Sequence, residues 1–543
     1  MSASPSSCDA QVLLLQEALA YIPKLIELCD RNQLNKTYGS FDRAYWHYRT
    51  IDFPSGMYQE AVLPLALAYI VKHPLNPYAG NKRIKELVIA GIEFSARSSH
   101  ADGSCDDYFP YERAVGAASF SLYACTESYS LLDLDNDEMR DFFIRRGTYL
   151  MKEGFNESGS LSNHKALVVL TLHNVYLITQ NTQFKDAATH LLQKLLELQS
   201  PEGWFPEYEG ADPGYLMFTI DFLAKYYQKT KLASLQEPLK RALHFLSYFV
   251  HPDGTVGGEY GSRNTFHALL HGLQIVQEFS KDASSISERL LEALRTQSRS
   301  YIDDDRIFIH YVYNYFQAFV DYSDRRSESS SSSLSGKINQ YFPLAGLYVT
   351  AAPPRYVVIS TKKAGAIKSF HNKTLRFTGA GLVGQTENGM IFHSQSYQDY
   401  LSEKFADGLH LEGRMTQHKE ITFNPITFLC FRLYLLLFGR FMPANWTRKI
   451  LQKKAILKKS KFVPIRFRLS YIGLPPASLH IECWLEDRQL QIQKLYFSSD
   501  ATFIYIATSQ SYQPGSLVPW IDLTPYISEL NNQKYVKVQI PIT

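Results

Sequence analysis

The chain lacks most of the patterns that mark the commoner enzyme chemistries. Its six cysteines in 543 residues are Cys8, Cys29, Cys105, Cys125, Cys430 and Cys483. None forms a C-x-x-C pair, so neither a zinc knuckle nor a redox dithiol is supported, and so sparse a set suits a reducing compartment. There is no G-x-x-x-x-G-K-[ST] loop, no H-E-x-x-H, no dinucleotide-binding glycine fingerprint and no G-x-S-x-G elbow. P-loop hydrolysis, zinc proteolysis, Rossmann-type dinucleotide binding and α/β-hydrolase catalysis therefore lack support, and neither a metal nor a cofactor is expected. The N-terminal stretch has no basic segment followed by a long apolar one; the expected location is the cytoplasm. Net charge is only +3, which argues against a nucleic-acid partner.

What is present is a well-folded composition. Hydrophobic residues make up 45% and charged residues 20%, and the length allows about three or four domains, or fewer large ones. Aromatics reach 14%, with 36 tyrosines against 33 phenylalanines. A tyrosine offers an apolar ring and a polar tip, which suits both ordinary packing and the wall of a sugar-binding cleft.

The organisation shows as a repeat. Apolar residues recur at helical spacing over roughly the first 320 positions. Acidic-glycine pairs stand at Asp102-Gly103, Glu153-Gly154, Glu202-Gly203 and Asp253-Gly254, about fifty residues apart. Ser55-Gly56 reads as a degenerate first copy, and Asp303-Asp304-Asp305 prolongs the series without a glycine. Each pair precedes a polar, aromatic loop and then an apolar helical pattern. Such helical hairpins must stack to bury their faces. Residues 1–324 are therefore expected to form an (α/α) toroid, with an open solenoid as the alternative. A Ser-rich linker follows at 325–339, and 340–543 reads as an antiparallel, β-sandwich-like domain, with strands expected over 347–361, 375–378, 390–393 and 501–508. The fold class is thus α+β, in several domains.

One stretch interrupts the β pattern. Residues 426–442 are apolar apart from Arg432 and Arg440, and a basic run follows to Lys461. Residues 421–481 hold eleven Lys and Arg and no acid; subtracting these from +3 leaves −8 for the rest of the chain. A helical insertion at about 424–461 is expected. Three settings stay open for it: an anionic membrane surface, with the protein peripheral at the inner membrane face; burial against the body or a partner; and a short span.

Equivalent loops of a toroid converge on one face, so their polar residues are the candidates for chemistry. They are Tyr108, Tyr111, Glu112 and Arg113; Asn163 and His164; Trp204, Glu207, Tyr208, Asp212 and Tyr215; and Glu259, Tyr260, Arg263, Asn264 and His267. An Asn amide or an Arg can hold a carboxylate, while His and Tyr can move a proton. Asn163 also reads as a helix N-cap, and Asp212 before Pro213 does so more clearly. His393 and Tyr397 are the β-domain side chains that packing across the mouth would deliver.

The layout of toroid, linker and β domain, with Asn163-His164 opening one helix and Tyr215 in the next copy, resembles the heparinase II/III-like polysaccharide lyases and related uronyl epimerases. That resemblance implies proton abstraction at C5 of a uronic acid in an acidic polysaccharide. It assigns Asn163 and Arg263 to the substrate carboxylate, His164 and Tyr215 to proton transfer, and His393 to a further acid–base role. Two other readings stand beside it: a glycoside hydrolase using two of Glu112, Glu207, Asp212 and Glu259, and a non-enzymatic, membrane-proximal or glycan-binding scaffold.

Overall fold

A computed structural model describes residues 7–156, 160–208, 210–301, 306–322, 336–418, 424–443, 446–455, 461–503 and 511–542. The Asp303–Asp305 run and most of the Ser-rich stretch lie outside the described residues.

Six inner helices close a ring: Val62–Ile70, Val115–Leu131, Ser162–Thr179, Pro213–Thr230, His271–Val276 and Phe308–Val320, each packed on the next and the last on the first. The toroid is therefore complete rather than an open solenoid. Outside lie Lys82–Arg97, Asp137–Glu153, Thr182–Leu196, Gln236–Ser247 and Lys281–Thr296, and Ser7–Ala20 completes the circle against Phe308–Val320. The division is legible in composition. Val115–Leu131 buries nearly every position, as a helix surrounded by helices must. Lys82–Arg97 buries only a stripe through Ile84, Leu87, Val88 and Phe94, and starts at an Asn81 cap.

Gly103, Gly203 and Gly254 are equivalent turns, with φ of +87°, +102° and +81°. In each, the glycine N–H is donated to the carbonyl three residues back, on His100, Ser200 or His251. That residue's own N–H goes to the carbonyl of Ser104, Trp204 or Thr255. A Cβ on any of the three would overlap the carbonyl of Arg145, Arg241 or Arg289 on the outer helix of the next hairpin. Both the backbone angle and the close approach require glycine. Two expected members differ. Gly154 merely ends the helix Asp137–Glu153 at φ −59°. The first copy is Gly39, not Ser55-Gly56: Gly39 has φ +87°, donates to Asp30, and lies against the carbonyl of Ala90.

The β region forms two antiparallel sheets. The smaller is a meander of Ile338–Phe342, Leu347–Ala352, Arg355–Ser360, Ile367–His371 and Thr374–Gly379. Pro353-Pro354 divides the single strand expected over 347–361 into two, because proline cannot donate to a ladder. The three central strands of this sheet are buried on both faces. Val349, Ala351, Tyr356, Val358 and Phe370 join the core of the toroid. Tyr348, Val357, Ile359 and Ile367 meet Leu382, Phe392 and Leu469 of the nine-stranded larger sheet. Of the strand expected over 501–508, residues 501–503 are irregular and the rest lie outside the described residues.

The apolar insertion folds as two helices, Pro425–Phe438 and Trp446–Ala455, between the paired strands Gly408–Gln417 and Phe462–Gly473. It touches the toroid where Phe431 meets Phe109 (ring centroids 5.6 Å apart), Arg432 meets Asp52 (2.5 Å) and Arg448 meets Glu112 (3.4 Å). Burial of the whole hairpin is not what the structure shows, since Leu435 is the buried apolar residue of its first helix. No described helix is long and apolar enough to cross a membrane.

Gly203→Ala should lower stability by about 2–4 kcal/mol, from the left-handed angle plus displacement of the Arg241 carbonyl. Gly80→Ala, also at positive φ (+69°) but with open space around it, should cost only about 1 kcal/mol. Chemical denaturation of both variants checks the difference.

Candidate active site

The loops after the glycine turns run into the inner helices, so the N-terminal ends of those helices surround one mouth of the toroid. Carboxylates tie neighbouring copies together there. Glu207 reaches back one copy and accepts both the backbone N–H and the side-chain amide of Asn163, each at 2.8 Å. Burial lifts its carboxyl to about 8, against the pull of those two bonds. Asp212 caps Pro213–Thr230 through the Tyr215 N–H (3.0 Å) and reaches forward to the Arg263 N–H (2.8 Å) and the Thr265 hydroxyl. Desolvation raises its pKa, and these bonds oppose it. Glu112 accepts from the N–H groups of Asp107 and Tyr108, at 3.2 and 2.7 Å. Burial pushes it up to about 7 against the nearby Arg448 charge. Glu259 faces Lys368 at 3.2 Å. All four are at most 8% exposed, so each holds the chain in place rather than offering an open carboxyl.

Four bulky residues of these loops sit in the left-handed region: Tyr111, Arg113, Tyr208 and Asn264, with φ of +60°, +53°, +60° and +57°. Such angles cost energy outside glycine and persist where the surroundings impose them, which is common at functional sites. The same constraint alters the last repeat. The helix expected straight after Asn264 begins only at His271, where the N–H groups of Leu270 and His271 both find the side-chain oxygen of Asn314.

His164 and Tyr215 are half-buried and belong to one cluster of rings. His164 lies edge-on to Phe120, Phe120 to Phe218, and Phe218 to His267, which in turn contacts Tyr215 at 5.3 Å between centroids. The Nδ1 of His267 is 2.8 Å from the Tyr311 hydroxyl, and burial drives its pKa down to about 3, so the ring is neutral. Arg263 lies over the Tyr208 ring at 4.1 Å. Two buried donors of this one loop, Arg263 Nε and Asn264 Nδ2, and the buried Nε2 of His267 find no hydrogen-bond partner among the described residues.

The β domain brings its own groups to this loop. Lys363 donates to Asn264 Oδ1 at 2.7 Å; burial and the Arg263 charge lower its pKa to about 7. The Tyr397 hydroxyl reaches Gly210 and the backbone of Ala211. His393 stacks on Phe503 at 4.3 Å and accepts the Gln395 N–H at Nδ1 (3.1 Å), which leaves its proton on Nε2. Burial, with the charges of His418 and Lys363, brings its pKa to about 3. Lys363 and Lys368 were not singled out from sequence. The signal for them was a lysine inside or beside an apolar strand that would otherwise be buried.

The remaining candidates serve elsewhere. Tyr260 is a core residue with its hydroxyl 2.8 Å from His251. Trp204 donates to Glu202, which holds the Leu344 and Ala345 N–H groups of the small sheet. Tyr108 is exposed beneath the Arg306 guanidinium. Tyr111 and Arg113 lie under the helical insertion, against Gly439 and the Arg440 carbonyl. Asn163 does not cap its helix as expected, because Glu207 engages its amide inside the first turn.

No family profile matches this chain, and no curated protein does. Solved structures do. A Paenibacillus xanthan lyase superposes with a TM-score of 0.52 at 11% identity, over 91% of this chain, which spans about half (47%) of that one. The chondroitin AC lyase of Streptomyces coelicolor A3, solved with chondroitin sulphate, gives 0.50 at 9% identity over 91% of this chain and 68% of its own. At such identity the likeness is one of fold: a toroid and antiparallel β domain arranged as in the polysaccharide lyases.

Proposed function

We propose that this protein is an enzyme acting on an acidic, uronic-acid-containing polysaccharide by abstraction of the C5 proton, as a β-eliminating lyase or a C5-epimerase. The observation that supports it most is the loop 263–267, where the buried donors Arg263 Nε and Asn264 Nδ2 lack acceptors among the described residues and His267 contacts the half-buried Tyr215. Donors so placed suit a carboxylate. Binding that group by Arg263 and Asn264 would acidify the neighbouring C5–H. Tyr215 or His164 takes the proton, and the electron pair delocalises into the carboxylate. In elimination the C4–O4 bond then breaks, the C4=C5 double bond forms, and an acid of the site protonates the departing O4. In epimerisation a proton returns to C5 from the other face. Asn163, fixed by Glu207, acts as a positioning residue. A retaining or inverting hydrolase needs two available carboxyl groups, and the four candidates are each committed to internal partners.

A panel of uronic-acid polymers should give either ultraviolet absorbance from unsaturated ends or solvent deuterium at C5 without cleavage. Absence of both across the panel overturns the proposal. Tyr215→Phe should lower kcat by roughly a hundredfold or more with little change in KM, while Arg263→Lys should act mainly on KM.

The raised carboxyl of Glu207 gives a second expectation. Between its ordinary value and about 8, the folded chain keeps a proton that the unfolded chain releases. Its contribution to stability is therefore lost as pH rises through that window. Glu207→Gln carries no such charge. Relative to the native protein it should gain melting temperature steadily from about pH 5 to about pH 8 and level off above. Parallel thermal melts across that range check the sign.

A further inference from the structure

We infer that the helical hairpin 424–455 docks on the surface of an anionic lipid bilayer, independently of the reaction proposed above. Its first helix, Pro425–Phe438, exposes apolar side chains almost throughout: Ile426, Phe428, Leu429, Leu433 and Leu437 are between 48% and 73% exposed, as is Phe441 just beyond it (73%). Leu435 is 1% exposed, and Phe431 and Arg432 hold the helix to the toroid. So large a contiguous apolar face on a docked, defined element marks an interaction site.

Charge identifies the occupant. Arg440 and Lys449 are exposed beside the apolar face, and the hairpin with its flanks, residues 421–481, contains no acid. A second copy packing on this face would bring like charge to like charge across a two-fold axis. Anionic headgroups complement it instead, as they do for basic amphipathic segments. Fourteen helical residues span about 21 Å, short of the roughly 30 Å hydrocarbon core, so the helix lies along the interface. Trp446, 42% exposed at the start of the second helix, suits headgroup depth. Because Arg448 contacts Glu112 and the Arg440 carbonyl receives Arg113, the bilayer would lie along the side of the toroid mouth formed by the loop after Gly103.

The test is flotation of the full chain with vesicles of phosphatidylcholine alone and of phosphatidylcholine mixed with phosphatidylglycerol. Binding is expected to the mixed vesicles and to weaken with salt. Leu433→Asp with Leu437→Asp should abolish it, and Arg440→Glu with Lys449→Glu should weaken it roughly tenfold or more. Both variants alter exposed side chains and should melt with the native protein. Failure of the native chain to float with either vesicle overturns the inference, as does flotation that survives Leu433→Asp with Leu437→Asp. Self-association on light scattering that is lost in that variant, without vesicle binding, overturns it in favour of a second copy.

Discussion

Two buried lysines of the small sheet hold the molecule in its working shape. Lys363 and Lys368 are 1% and 0% exposed, and both cross from the β domain into the mouth of the toroid. Lys368 meets Glu259 at 3.2 Å and donates to Gln513 at 2.5 Å. Gln513 in turn donates to Asp253 and Thr255 of the last glycine turn. Lys363 meets Asn264. A charge removed from water must find partners, and removing one member of such a set costs about 3–5 kcal/mol. The sheet cannot shift without stranding these charges, so the pairs fix its register over the mouth. That register is what carries Tyr397 to Ala211 and sets His393 within the field of Lys363.

The tyrosine excess divides along the same boundary. Tyr123, Tyr313 and Tyr315 lie on inner helices and are buried. Tyr123 and Tyr313 pack at a tilt, 5.9 Å between ring centroids, near Lys225, whose ammonium pairs with Asp221 at 2.5 Å. They fill the ring axis, where a polar tip can reach a buried partner and a phenylalanine could not. Tyr208 and Tyr215 are half-buried at the mouth. One residue type thus fills the centre and lines the rim, and exposure separates the two.

The helical half was legible because its constraints are local. Inner and outer helices differ in composition, Asp212-Pro213 marks a helix start, and glycine is compulsory where a turn meets the next hairpin. The failures share one cause, which is that spacing alone does not reveal what a residue touches. Glu153-Gly154 has the right interval, but the carbonyl it meets is that of Leu150 in its own helix and not one of the next hairpin. Gly39 has the neighbour but sits in a longer loop, so the interval hides it. The delayed start at His271 depends on Asn314, and the role of Asn163 on Glu207, both more than forty residues away. Lys363 and Lys368 look like ordinary strand or turn lysines until a second domain covers them.

These contacts also limit the chemistry. Glu112, Glu207, Asp212 and Glu259 read as a set of catalytic acids, yet each is a buried carboxyl group committed to partners within the chain. Using one as a general acid or nucleophile would release the loop it anchors. The accessible groups that can move a proton are therefore an imidazole and a phenol, His164 and Tyr215, set in rings rather than in a field of carboxylates. Proton abstraction next to a carboxylate suits such a pair, because the carboxylate itself stores the developing charge while the protein supplies donors to it. The carboxyl groups of the toroid shape the mouth, and the loop 263–267, held by Asp212 on one side and Lys363 on the other, is where the proposed reaction would place the substrate carboxylate.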